Sequence, residues 1–107
     1  MSLDVTLTEV RPTAVYSANI THNLGAMAKE AGIYMHLWRP DEIGITKARE
    51  LIVPLREGLA KLEADPAHFF TFNPPNGWGR YENLVSFVRD YLAACEENPE
   101  SEVSSDR

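Results

Sequence analysis

The chain has 107 residues, with sixteen Asp or Glu against ten Lys or Arg and a formal net charge of -6. That length is one small domain, and the acidic balance argues against a nucleic-acid partner, because phosphates demand a basic face. The single Cys95 excludes an intrachain disulfide framework and any Cys-rich zinc motif, and no apolar run approaches the roughly 20 residues that span a bilayer.

Residues 4–10 alternate Val5 and Leu7 with Thr6 and Thr8, which predicts a short strand. Arg11-Pro12 ends it, and Thr13–Ala18, with Val15 and Tyr16, is a second extended segment. Such a hairpin is marginal alone in water, so it is expected to pack on helices.

A first helix is predicted from Thr21, whose hydroxyl can cap free backbone N–H groups, with a buried stripe at Leu24, Met27, Ala28 and Ala31. Gly32 supplies the left-handed stop. A shorter turn, Ile33–Trp38, follows, and Pro40 forces Arg39 away from helical geometry.

The longest periodic segment is Thr46–Asp65, with apolar residues at Ala48, Leu51, Ile52, Leu55, Leu59 and Leu62. The stripe keeps phase across Pro54, which predicts one kinked helix, although proline in an exposed helix costs about 3 kcal/mol. Pro66–Phe72 is compact and aromatic, and Asn73-Pro74-Pro75-Asn76-Gly77 is the strongest turn signal in the chain. A last helix is predicted over Arg80–Glu97, with Leu84, Val88, Leu92 and Cys95 on its buried stripe. Residues 100–107 are polar, acidic and without helical or strand periodicity, and read as a flexible acidic tail after a single domain over residues 1–99.

The expected fold is α+β and mainly α: a small helical domain with a short N-terminal β element. Its core is the long helix packed on the first and last helices, closed by Phe69, Phe70, Phe72, Trp38 and Trp78. The N-terminal residues Met1–Asp4 lack the basic and apolar regions of a signal peptide, so a cytoplasmic location is expected, with no membrane partner.

Two groups of residues could carry chemistry. Asn19, His22 and Asn23 share one polar face if Asn19 continues the helical approach, since i, i+3, i+4 residues are neighbours on a helix. A helix start attracts anions, and an imidazole there can donate to one. The alternative is that these residues only satisfy backbone groups at the helix start. The second group places Trp38 beside Arg39 and Trp78 beside Arg80, residue types that stack on flat ligands and grip carboxylate or phosphate. The alternative there is that both tryptophans are core plugs, with the arginines paired to Asp41, Glu42 or Glu82. The three histidines lack metal-ligand spacing, and no phosphate loop, nucleophile elbow or C-x-x-C is present, so no catalytic residue, metal or cofactor is expected.

The segments Asn19-Ile20-Thr21-His22-Asn23-Leu24, Leu37-Trp38-Arg39-Pro40 and Asn76-Gly77-Trp78-Gly79 resemble a group of short bacterial and phage-encoded proteins of uncharacterised function. The resemblance covers roughly residues 15–100. It implies a bacterial or phage origin and transfers no catalytic residue. Three functional classes follow: a non-enzymatic binding or interaction module, an inhibitor or immunity-type protein covering a basic partner, and a small enzyme or sensor of a small polar ligand built on His22. A deep pocket joining the candidate residues would favour the last, and a flat acidic face the second.

Overall fold

The computed structural model describes residues 2–9, 14–75, 77 and 79–107. The Arg11-Pro12 connection, Asn76 and Trp78 lie outside the described residues, and with them the expected role of Trp78. The described chain is α+β and mainly α: a three-stranded antiparallel sheet covered on one face by helices.

Strands β1 (Ser2–Thr8) and β2 (Ala14–Thr21) form the expected hairpin, with Asp4 opposite Asn19 and Leu7 opposite Tyr16. The period of two sends Leu3, Val5 and Leu7 wholly into the core and leaves Ser2, Asp4, Thr6 and Thr8 on the outer face. The β element is larger than expected. Residues 100–107 are no flexible tail: β3 (Glu102–Asp106) pairs antiparallel with β1, giving the order β2-β1-β3. Val103 and Ser105 turn inward, and Ser105 Oγ donates to the Leu37 carbonyl at 2.8 Å. The segment is held at its start as well, where the amides of Ala48 and Arg49 donate to the carbonyls of Ser101 and Pro99, both at 2.9 Å. Backbone pairing to a strand that is remote in sequence replaces the apolar period the segment lacks.

After a 3-10 turn, His22–Leu24, α1 (Gly25–Glu30) begins the helical layer. Thr21 Oγ1 accepts the Asn23 amide as the expected cap, and Gly32 stops the segment at φ 79°. Helix α2 (Tyr34–Trp38) and a 3-10 turn, Pro40–Ile43, lead into α3 (Arg49–Ala64), which runs through Pro54 as one helix. Its buried face is Leu51, Leu55, Gly58 and Leu62. Leu59, expected in the stripe, is only half-buried; Gly58 takes its place against Ile33.

Helix α4 (Pro66–Phe70) is capped by Asp65 and buries Phe69, while Phe70 stays exposed rather than closing the core. Helix α5 (Tyr81–Glu97) lies antiparallel to α3, as the ion pairs Arg56–Glu96 (2.8 Å) and Arg89–Glu63 (2.9 Å) show. Tyr81 closes the free end of α3 by donating its hydroxyl to the Leu62 carbonyl at 2.6 Å. Tyr91 of α5 stacks on Tyr16 of β2, with centroids 5.8 Å apart and planes 10° from parallel, and so joins helix to sheet. Among the described residues, no helix is long and apolar enough to cross a membrane.

Candidate functional site

Of the seven residues singled out in the sequence, the six described ones are spread over separate places. Asn19 is in the middle of β2, not on a helical approach, so the i, i+3, i+4 face with His22 and Asn23 does not exist. Its side chain lies on the outer sheet face and donates to Asp4 Oδ1 at 2.7 Å and Ser2 Oγ at 2.8 Å. His22 opens the 3-10 turn, half-buried, with its ring edge-on to Trp38 at 6.1 Å. Its Nε2 is buried and has no hydrogen-bond partner among the described residues. Asn23 is exposed beside it.

Trp38 is the core plug of the alternative reading, only 2% exposed. Its indole stacks under Tyr34 at 5.3 Å and 10°. Arg39 is held by Glu42 at 2.6 Å, and that bond, with the Tyr34 hydroxyl nearby, keeps its guanidinium charged. Arg80 pairs with Glu82 at 3.5 Å. Both arginine pairings match the alternative reading.

Three of the clefts among the described residues bear on these side chains. One of about 410 Å³ lies between the β2 edge and α5, with Asn19, Tyr16, Phe87 and Asp90 on its walls. Burial first, and Asp90 second, push the Tyr16 hydroxyl above its ordinary range. A second, of about 210 Å³, lies between Gly32 and the outer side of α3. The third and largest, about 750 Å³, is a hollow over α2 lined by Arg39 and by residues the sequence reading passed over: Lys29, Tyr34, Met35, His36 and Ile43. Asn19 and Arg39 therefore serve different clefts, and His22 lines none of the three.

The sheet carries the other unanticipated feature. On its outer face Asp4 stands directly opposite Asp106, Thr6 opposite Ser104, and Thr8 opposite Glu102. The three strands contain no Lys, Arg or His. All six described arginines are engaged with carboxylates elsewhere: Arg39, Arg49, Arg56, Arg80, Arg89 and Arg107. Lys47, opposite Glu102 at the rim, reaches the Glu100 carbonyl at 3.2 Å. Asp4, Glu102 and Asp106 thus have no ion-pair partner among the described residues. Carboxylates and hydroxyls alternate in β3 as on the outer face of β1, but with Val103 as its single apolar residue β3 lacks the inward period that marks a strand.

Among the described residues no group of three or more His, Cys, Asp or Glu is placed to hold a metal ion. Comparison with protein-family models, with curated proteins and with solved structures finds no match.

Proposed function

We propose that this chain is a non-enzymatic interaction protein of bacterial or phage type, working in the cytoplasm, whose outer sheet face covers a basic protein surface. The observation that carries the reading is the cross-strand pair Asp4–Asp106 on a polar face without a counter-cation among the described residues. Like charges placed directly opposite each other on a sheet destabilise it. A lysine or arginine from a partner removes that repulsion, and Thr6, Ser17 and Ser104 offer hydroxyls around it. The net charge of -6 adds long-range steering toward a positive partner. The scatter of His22, Asn19 and Arg39 over separate places supports binding over catalysis, since a reaction needs its groups converging on one point.

The test is a ¹H–¹⁵N NMR titration of the full chain with a synthetic peptide alternating arginine and threonine. Shifts centred on Asp4, Thr6, Ser104 and Asp106 are expected. They should weaken with salt, vanish in Asp4→Asn/Asp106→Asn and persist in Glu57→Gln/Glu97→Gln. Shifts spread evenly over all acidic residues, or unaffected by the Asp4/Asp106 change, would reject the reading.

A further inference from the structure

We propose that the hollow over α2 is a binding site for an organic anion: a carboxylate or sulfonate carried on a flat apolar body. This site is separate from the acidic sheet face and does not depend on it.

The first observation is an inversion of charge. In a chain of net charge -6, the largest of these three clefts presents the cations Lys29 and Arg39 and no carboxylate on its lining. Lys29 makes no ion pair among the described residues, and its Nζ stands 4.7 Å from the Tyr34 ring centroid. Lys61 belongs to the neighbouring cleft, which shares Gly32 and His36 with this one and also holds Glu57. Arg39 is paired with Glu42, and Arg107 reaches both Glu42 and Asp41 at 3.4 Å, so the arginine side of the hollow is charge-balanced and Lys29 is the cation free to meet a ligand.

The second observation is the floor. Tyr34 lies parallel on the buried Trp38, which in turn meets the His22 ring edge-on. That stack fixes the Tyr34 ring from one side, and Lys29 Nζ stands over the ring as well, so a flat ligand lies on it by turning the flexible lysine aside toward the ligand's own anionic group. Met35 and Ile43 complete an apolar wall, and Ile43 is one of four large apolar residues left exposed among the described residues, at 42%. His36 sits among them with its imidazole held toward the neutral form by burial, so it offers polarity without charge. An aromatic floor, apolar walls and a few cationic groups, in about 750 Å³, match the dimensions and chemistry of small-molecule sites. The cations and the absence of a carboxylate select an anion; the Tyr34 face and the Ile43 wall select a flat apolar body to carry it.

The probe is 8-anilinonaphthalene-1-sulfonate, read by fluorescence with the native full chain, beside its uncharged counterpart N-phenyl-1-naphthylamine. A saturable one-to-one enhancement is expected, weaker by about tenfold or more in Lys29→Met and in Tyr34→Leu, with thermal melts confirming that both variants fold. Octanoate should compete. Asp4→Asn/Asp106→Asn should leave the signal unchanged, which keeps this site distinct from the sheet face. Enhancement that does not saturate, that is untouched by Lys29→Met, or that is as tight for the uncharged counterpart would overturn the proposal.

Discussion

Gly58 of α3 lies directly beneath Ile33, so close that a β-carbon at position 58 would stand 2.4 Å from Ile33 Cγ2 and 3.2 Å from its Cδ1. This contact seats the start of α2 on α3. Ile33 is 1% exposed and β-branched at the point of contact, so it has little room to swing away.

Gly58→Ala is therefore expected to destabilise the protein by about 1–3 kcal/mol, because overpacking outweighs the roughly 1 kcal/mol of helix propensity that alanine brings. Urea melts would measure it. In an Ile33→Ala background the same change should cost much less, and that non-additivity is the signature of direct contact. An alanine variant more stable than the parent would disprove the close approach.

Truncation after Ser101 should lower stability by about 2 kcal/mol or more. It removes β3 and its backbone bonds to β1 and uncovers the Val103 packing against the core. Denaturant melts of the shortened chain test this. An unchanged midpoint would mean that residues 102–107 contribute nothing to the fold.

Two buried tyrosines should respond to loss of their hydroxyls in opposite directions. Tyr81→Phe breaks the 2.6 Å bond to the Leu62 carbonyl and leaves that acceptor unpaired, costing about 1–3 kcal/mol. The Tyr91 hydroxyl is buried without a hydrogen-bond partner among the described residues, so Tyr91→Phe should stabilise by up to about 1 kcal/mol. Matched melts of the two variants give the comparison. Equal losses would contradict the difference in bonding.

Cys95 should resist thiol reagents in the native protein and react at once when unfolded. Burial, with a smaller contribution from Glu96, pushes its thiol up from 9.0 to about 12. A raised pKa means that the fold favours the protonated thiol. Its stabilising contribution is complete below pH 9.0, the ordinary value, and is lost as pH climbs from there toward about 12. Tyr16, Tyr81 and Tyr91 are raised as well, chiefly by burial, and add losses of the same sign at still higher pH. The melting temperature should be level between neutral pH and pH 9, as far as these groups set it, and fall beyond. In Cys95→Ala the early part of that fall should shrink. Rapid labelling of the native chain would contradict the buried placement.

Neutralising one member of the cross-strand carboxylate pair should help the sheet. Asp106→Asn is expected to stabilise by about 0.2–1 kcal/mol while weakening binding of the arginine-rich peptide. A stability cost in that variant would show that the two carboxylates do not repel across the strands.

The elements that were legible before the structure are those set by neighbours in sequence. The hairpin strands show a period of two, Thr21 and Gly32 bracket the first helical turns, and the apolar positions around Pro54 hold helical phase. The errors are just as specific. Gly58 carries no hydrophobic signal, so the buried line of α3 was drawn through Leu59, although α2 needs the space that only a missing side chain leaves. Asn19 was placed on a helix because His22 and Asn23 follow at helical spacing, yet the strand continues to Thr21 and turns Asn19 to the outer face.

Local chain chemistry thus accounts for the helices, the hairpin and the buried Cys95, because caps, stops and periodic burial act over a few residues. Long-range pairing accounts for the rest. Glu102–Asp106 has a single apolar residue, Val103, and becomes a strand because β1 offers it unpaired backbone groups. The same pairing brings Asp4 against Asp106, two carboxylates about a hundred residues apart in sequence, and the stacking of Tyr34 on Trp38 makes a floor beside Lys29. The acidic face exists only because β3 closes on β1 and sets Asp4 against Asp106, whereas the hollow is drawn from residues 29–43 and its floor is an i, i+4 contact within α2, so packing decides there only which side chains stay open to solvent.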